Sequence, residues 1–187
     1  MTAAKPYHHG DLRRTLLAAA VDAVAEAGPA ALSLRDLARR AGVSHAAPTH
    51  HFGDKAGLLT AMATQGYERL ADALGRARAE TDDLLEIGVA YVRFAVEHRA
   101  HFEVMFRPQL YRADDPALLA ARRRAGESLR AGLARLDGDT PPPEAALAAW
   151  SIVHGFAALW LGGALPPELG DDPAAAARGV IRLLFAR

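Results

Sequence analysis

Eight histidines give this chain its widest chemical range, because an imidazole binds metals when neutral and moves protons when it titrates. Three groupings stand out: His8-His9, His50-His51, and His98 with His101, the last two sharing a helix face beside Glu97. A zinc site needs a third ligand at a regular spacing, and none follows; there is no His-Glu-x-x-His. The chain has no cysteine, which removes disulfides, thiolate nucleophiles and cysteine zinc sites. Neither a glycine-rich phosphate loop nor a nucleophile elbow occurs. The reactive residue types do not converge, so neither an enzyme nor a cofactor is expected.

A different constellation does converge. Ser33-Leu34-Arg35-Asp36 reads as a capping box opening a short helix that runs through Leu37 and Ala38 to Arg40. Gly42 supplies the positive-φ turn, Val43 and Phe52 bury the ends of a second short helix, and Ser44 is placed to cap it. Two short helices around a glycine turn form a helix-turn-helix pattern. The exposed face of the second helix then carries His45, Ala46, Thr49 and His50, short groups that fit a major groove and touch base edges or thymine methyls. His51 is left open between the two faces. Pro48 falls near the helix start, where a missing N–H costs at most one bond. Ser33, Arg35 and Lys55 are candidates for phosphate contacts, which position a protein on the duplex without reading sequence.

The elements that must hold this segment are helical throughout. No β-branched alternation appears, and the chain reads as all-α with about nine helices and no internal repeat. Gly28-Pro29 ends the first helix. Asp54 opens a long helix to about Glu80, and Thr81-Asp82-Asp83 caps the next, to about His98. A short helix from His101 to Phe106, one from about Pro116 to Leu136, one from Glu144 to Leu161 and one over 173–186 complete the chain. The clearest loop is Asp137 through Pro143.

Charge neither demands nor forbids nucleic acid. Twenty-two basic residues meet 22 acidic ones in 187 residues, so any basic surface is local. Residues 1–60 hold seven Lys and Arg against five Asp and Glu, plus five histidines. Arg122-Arg123-Arg124 reads as a solvated helix face. No apolar run approaches the roughly 20 residues of a bilayer span, and the start lacks an apolar signal core. A soluble, cytoplasmic chain with no membrane partner is the expectation.

The stretch from Leu37 through Gly42-Val43-Ser44 and His51-Phe52 to Lys55 and Leu58-Leu59 resembles the DNA-binding domain of the TetR/AcrR family. The preceding Tyr7-His8-His9-Gly10-Asp11-Leu12 fits the same pattern. The segment Trp150-Ser-Ile-Val-His154-Gly155 resembles a C-terminal subgroup with a Trp-His-Gly element. Three departures are Thr49, where the family usually has a tyrosine reaching a phosphate, Gly57 in place of a helix former, and Arg99 in place of a proline.

The resemblance implies a DNA-binding domain over residues 8–68 and a ligand-binding and dimerisation domain over 69–187. It implies a homodimeric repressor on double-stranded operator DNA, released by a small-molecule effector; activation, or regulation without a ligand, is the alternative on the same fold. Tyr91, Phe94, His98, Phe102, Met105, Trp150 and His154 are the candidate ligand contacts, although an aromatic stripe at helical spacing is more often plain core. The Glu144–Leu161 helix is apolar nearly all round, which implies burial on two sides. It is expected to meet its symmetry mate in a four-helix interface together with the last helix, which carries Val180, Ile181, Leu183, Leu184 and Phe185.

Overall fold

The computed structural model describes residues 9–133 and 143–185. Among these residues the chain forms nine α-helices and two single-turn 3₁₀ segments, with no strand. The helices are α1 (His9–Ala31), α2 (Leu34–Arg40), α3 (Ala46–Phe52), α4 (Lys55–Thr81), α5 (Leu84–Glu97), α6 (Arg99–Met105), α7 (Pro116–Leu133), α8 (Pro143–Leu161) and α9 (Pro173–Phe185). Most of the predicted loop from Asp137 lies outside the described residues, as does the Tyr7-His8 start.

The chain divides into two compact units. The first takes the N-terminal residues through Gln65 together with Ala100–Leu118; the second takes Gly66–Arg99 and everything from Leu119 onward.

In the first unit, Leu16, Leu37, Ala38, Leu58, Leu59 and Met62 are buried to within 1% and form the centre of a small core. Each comes from the apolar stripe of its helix, which explains why a helix as short as the seven-residue α2 packs at all. The backbone leaves helical geometry at Gly28, as the Gly28-Pro29 pair predicts. Arg40 fastens α2 to α1 through Glu26, at 2.7 Å. The segment 100–118 closes the unit: Tyr111 donates to the Met105 carbonyl at 2.7 Å, and the Arg112 amide to the Thr60 hydroxyl at 3.0 Å.

In the second unit, α5 packs against both α8 and α9. Asp83 caps α5 by accepting the Leu85 N–H at 2.9 Å. Arg178 of α9 grips Glu86 of α5 with two bonds of 2.8 Å. That guanidinium holds the Glu86 carboxyl below the usual glutamate range.

One expectation changes at α8. The stretch Glu144–Leu161 is in fact long and apolar enough to cross a membrane by length and composition, so an apolar run close to span length does exist. A single chain covers one side of it, and the expected second side belongs to the symmetry mate. Val153, Phe156 and Ala157 are buried, whereas Leu147, Trp150 and Leu159 are exposed.

Candidate nucleic-acid interface

The α2–turn–α3 segment is built as its sequence suggests in backbone and core, and differently at its caps. Gly42 has φ +65°, the left-handed turn that a side chain resists. Val43 N–H reaches back to the Ala38 carbonyl at 3.0 Å and closes the turn. Ala38 has no exposed surface, in keeping with the small residue needed at a helix crossing.

The capping box does not form. Ser33 occupies the N-cap position with extended backbone, but its hydroxyl caps nothing. Asp36 turns instead to Arg39 at 2.6 Å and Arg40 at 2.7 Å, which hold its carboxyl below the usual aspartate range. Charge-assisted bonds from two guanidiniums outcompete one backbone N–H. Ser44 is likewise no side-chain cap: α3 begins at Ala46 after His45, and only the Ser44 carbonyl takes part, accepting from Ala47 N–H at 3.0 Å.

The two faces of α3 separate cleanly. Ala47, Pro48 and Phe52 are buried. Pro48 is the third helical residue, so its missing N–H falls in the first turn, where no intrahelical acceptor exists. Ser44, His45, Ala46, Thr49 and His50 are exposed, and His51 is half-buried with its ring edge-on to His50. Ser33 and Arg35 are exposed as well.

Lys55 has already found a partner. Its ammonium donates to the Ala30 carbonyl at 2.7 Å and ties the start of α4 to the end of α1. An ammonium carries three N–H donors, so two remain.

Three contributors stand beside α3: the sequence offered Asp54 as the opening of α4 and Gly57 as a departure from the family pattern, and it missed Arg13. Arg13 of α1 stacks over the Phe52 ring at 5.2 Å, placing a cation at the C-terminal end of α3. Asp54 is a hub: one carboxylate oxygen accepts from Gly57 N–H at 2.8 Å, and the other takes Arg112 at 2.9 Å. Those bonds hold its carboxyl below the usual range. Gly57 is the third contributor. A Cβ there would collide with the Phe52 carbonyl oxygen, so glycine replaces a helix former where α3 and α4 meet. Nothing in the local sequence signals Arg112, 58 residues away; the Arg13 to Phe52 pairing needs the α1–α3 packing to be known.

The seven candidate ligand contacts scatter. Phe102 and Met105 are buried in α6 of the first unit, with Phe102 against Phe106 at 5.0 Å. The other five belong to the second unit. Tyr91, Trp150 and His154 do meet: Trp150 Nε1–H donates to the Tyr91 oxygen at 3.2 Å, and the Tyr91 hydroxyl lies 2.9 Å from His154 Nδ1. Burial pushes the Tyr91 phenol up and the His154 imidazole down, so both are neutral at pH 7. With Trp150 donating to the oxygen, the phenol hydrogen is directed at Nδ1, which leaves the ring proton on Nε2. Phe94 and His98 lie tilted against each other with ring centroids 5.1 Å apart and line an open cleft. The three consecutive arginines behave as a solvated face: Arg124 pairs with Asp72 at 2.8 Å, Arg123 lies 4.0 Å from Glu127, and Arg122 sits over Tyr67.

A glycine-turned helix pair presenting a short polar face defines a helix-turn-helix protein, and comparison with known proteins makes that specific. Residues 16–62 match the family described as bacterial regulatory proteins, tetR family, and residues 84–184 match the tetracyclin repressor-like C-terminal domain. The HTH-type transcriptional regulator BetI of Ectopseudomonas mendocina is 29% identical over 168 residues, 85% of each chain. A Rhodococcus sp. RHA1 protein of unknown function is 35% identical with a TM-score of 0.80, covering 97% of both chains. The TetR family transcriptional regulator PfmR of Thermus thermophilus is 27% identical with a TM-score of 0.67, covering 90% of this chain and 96% of its own. The chain belongs to the TetR family: it is a DNA-binding transcriptional regulator and not an enzyme.

Proposed function

We propose that this chain is a homodimeric repressor that leaves operator DNA when a small effector binds its C-terminal half, with residues 8–68 engaging DNA and 69–187 serving ligand and partner. The observation that carries the DNA half is the exposed face of α3. Five short residues, Ser44, His45, Ala46, Thr49 and His50, face outward from a helix whose other side is anchored by Phe52. In this reading His45, Ala46, Thr49 and His50 contact base edges, and Ser33, Arg35, Ser44 and the remaining donors of Lys55 contact phosphate. Arg13 joins the phosphate set.

The homodimer rests on α8. Leu147 and Leu159 are 58% and 49% exposed on a helix that is otherwise apolar, and Leu183 of α9 is 77% exposed. Apolar surface on this scale marks an interaction site. A membrane fits the same helix by composition, but a DNA-binding family and a two-fold operator favour a second copy. Ligand then acts by binding the two operator-spacing states unequally, since equal affinity would shift nothing. Of the seven candidate contacts, Phe94 and His98 have open space beside them.

The test is binding of the purified chain to its own upstream DNA and to a scrambled duplex over a salt series, with mass measured in solution. A preference for upstream DNA that falls steeply with salt, from a species of twice the chain mass, supports the reading. Equal weak binding to both duplexes, or a monomer at micromolar concentration, overturns the corresponding half.

A further inference from the structure

The open cleft of the second unit runs between α4 and α5 and holds about 400 Å³. From α4 it receives Arg69, Asp72, Ala73, Arg76, Ala77 and Glu80, a single stripe at spacings of three and four. From α5 it receives Ala90, Arg93, Phe94 and Glu97, with His98 at the C-cap, a second stripe at spacings of three and four. Alanines make the floor and Phe94 the apolar end, so space exists because the facing side chains are small.

The charges around that floor are arranged unusually. Arg76 has Asp72 four residues before it and Glu80 four after; Arg93 has Glu97 four after. Such spacings normally close into ion pairs on a helix. None of Arg69, Arg76 and Arg93 pairs within 4.0 Å with a described residue, and Asp72 is taken by Arg124 instead. Three guanidiniums and three carboxylates therefore line the cleft around a floor of alanines, and one of the carboxylates, Asp72, is already neutralised by Arg124 from outside it. His98 adds no charge, since burial and then Arg69 lower its pKa.

We infer that this cleft binds a small organic acid, its carboxylate between Arg76 and Arg93 and its apolar body over Ala77 and Ala90 toward Phe94. A guanidinium recognises a carboxylate with two parallel bonds, and a floor of methyl groups has no use for a bare inorganic ion. The volume lies at the small end of ligand pockets, which excludes a bulky polymer as the natural occupant. That the acid acts as the effector rests on the regulator reading above; that the cleft binds it does not.

The experiment is calorimetric titration of the full chain, without DNA, using benzoate, phenylacetate and octanoate, their amides, and inorganic phosphate. At least one acid is expected to saturate a single site, and its amide to bind at least about tenfold more weakly. Arg76→Gln and Arg93→Gln should each weaken the acid about tenfold. Ala77→Trp, which fills the floor and leaves the charges alone, should abolish binding, and Arg123→Gln outside the cleft should not alter it. Circular-dichroism melts establish that each variant folds. The inference is overturned if no acid binds, if amides or phosphate match the acids, or if the Arg76→Gln/Arg93→Gln double variant titrates like the parent. A gel-shift series then separates the two readings. Acid binding without operator release removes the effector role and keeps the site; absence of any operator preference removes the regulator reading and leaves the calorimetry standing.

Discussion

Helices α3 and α8 solve opposite problems. Helix α3 has seven residues, too few to be stable alone, and survives because Ala47, Pro48 and Phe52 lock one side into the core while polar residues take the other. Helix α8 has 19 residues and an apolar sequence, yet leaves Leu147, Trp150 and Leu159 in solvent. In α3, exposure follows polarity, so the outward face is stable in water by itself. In α8, exposure contradicts polarity, so that face gains stability only when something covers it. An anchoring side chain of α3 should therefore register in the stability of the single chain, and one on the outer face of α8 only in association.

The largest effect on that contrast belongs to Phe52→Ala. Removing a buried aromatic anchor should cost about 3–5 kcal/mol, read as a lowered unfolding midpoint, and should take DNA binding with it. Next is Leu159→Arg. The single chain should keep its melting behaviour at low concentration while self-association weakens about a hundredfold in sedimentation equilibrium. An equal loss of intrinsic stability would mean the residue belongs to the chain's own core. Thr49→Ala and His45→Ala should leave folding untouched and reduce discrimination between operator and scrambled duplex by about tenfold each. Unchanged preference would mean that another face of α3 reads the bases.

The smallest effect is electrostatic. Glu86 is held below its ordinary pKa by Arg178, so its contribution is present above the ordinary glutamate range and is lost as pH falls through the depressed value. Solvent reaches about a third of each side chain and screens the pair, so the contribution should not exceed about 1 kcal/mol. Arg178→Gln should remove that acid-sensitive component from urea melts taken across the carboxylate range. A parallel pH profile for parent and variant would discount the pair.

What was legible in the chain follows from the same physics. Gly42 and Phe52 announced the turn and its anchor because glycine conformation and helical periodicity are local properties, whereas Val43, expected to bury the other end, is only half-buried. The caps at Ser33 and Ser44 were not legible because capping is a competition, and Arg39 with Arg40 won the Asp36 carboxylate. The outer face of α8 was legible as more apolar surface than one chain can cover, but not which residues form it, since a helix apolar nearly all round carries no stripe to mark the inner side. The Asp54–Arg112 pair and the α4–α5 cleft were invisible for a plainer reason: each joins residues from separate helices or loops, and no local pattern carries that information.

The Asp54–Arg112 pair also bears on how the molecule is made. The unit holding α2 and α3 is closed by residues 100–118, so a fragment stopping at Gln65 would lack the guanidinium that clamps the start of α4 and the amide that binds Thr60. On a ribosome adding ~5–20 residues per second, the nascent recognition helix waits several seconds for those partners to emerge. Early termination should yield chains that carry the whole DNA-reading motif and hold it poorly, a built-in bias against truncated products occupying the operator.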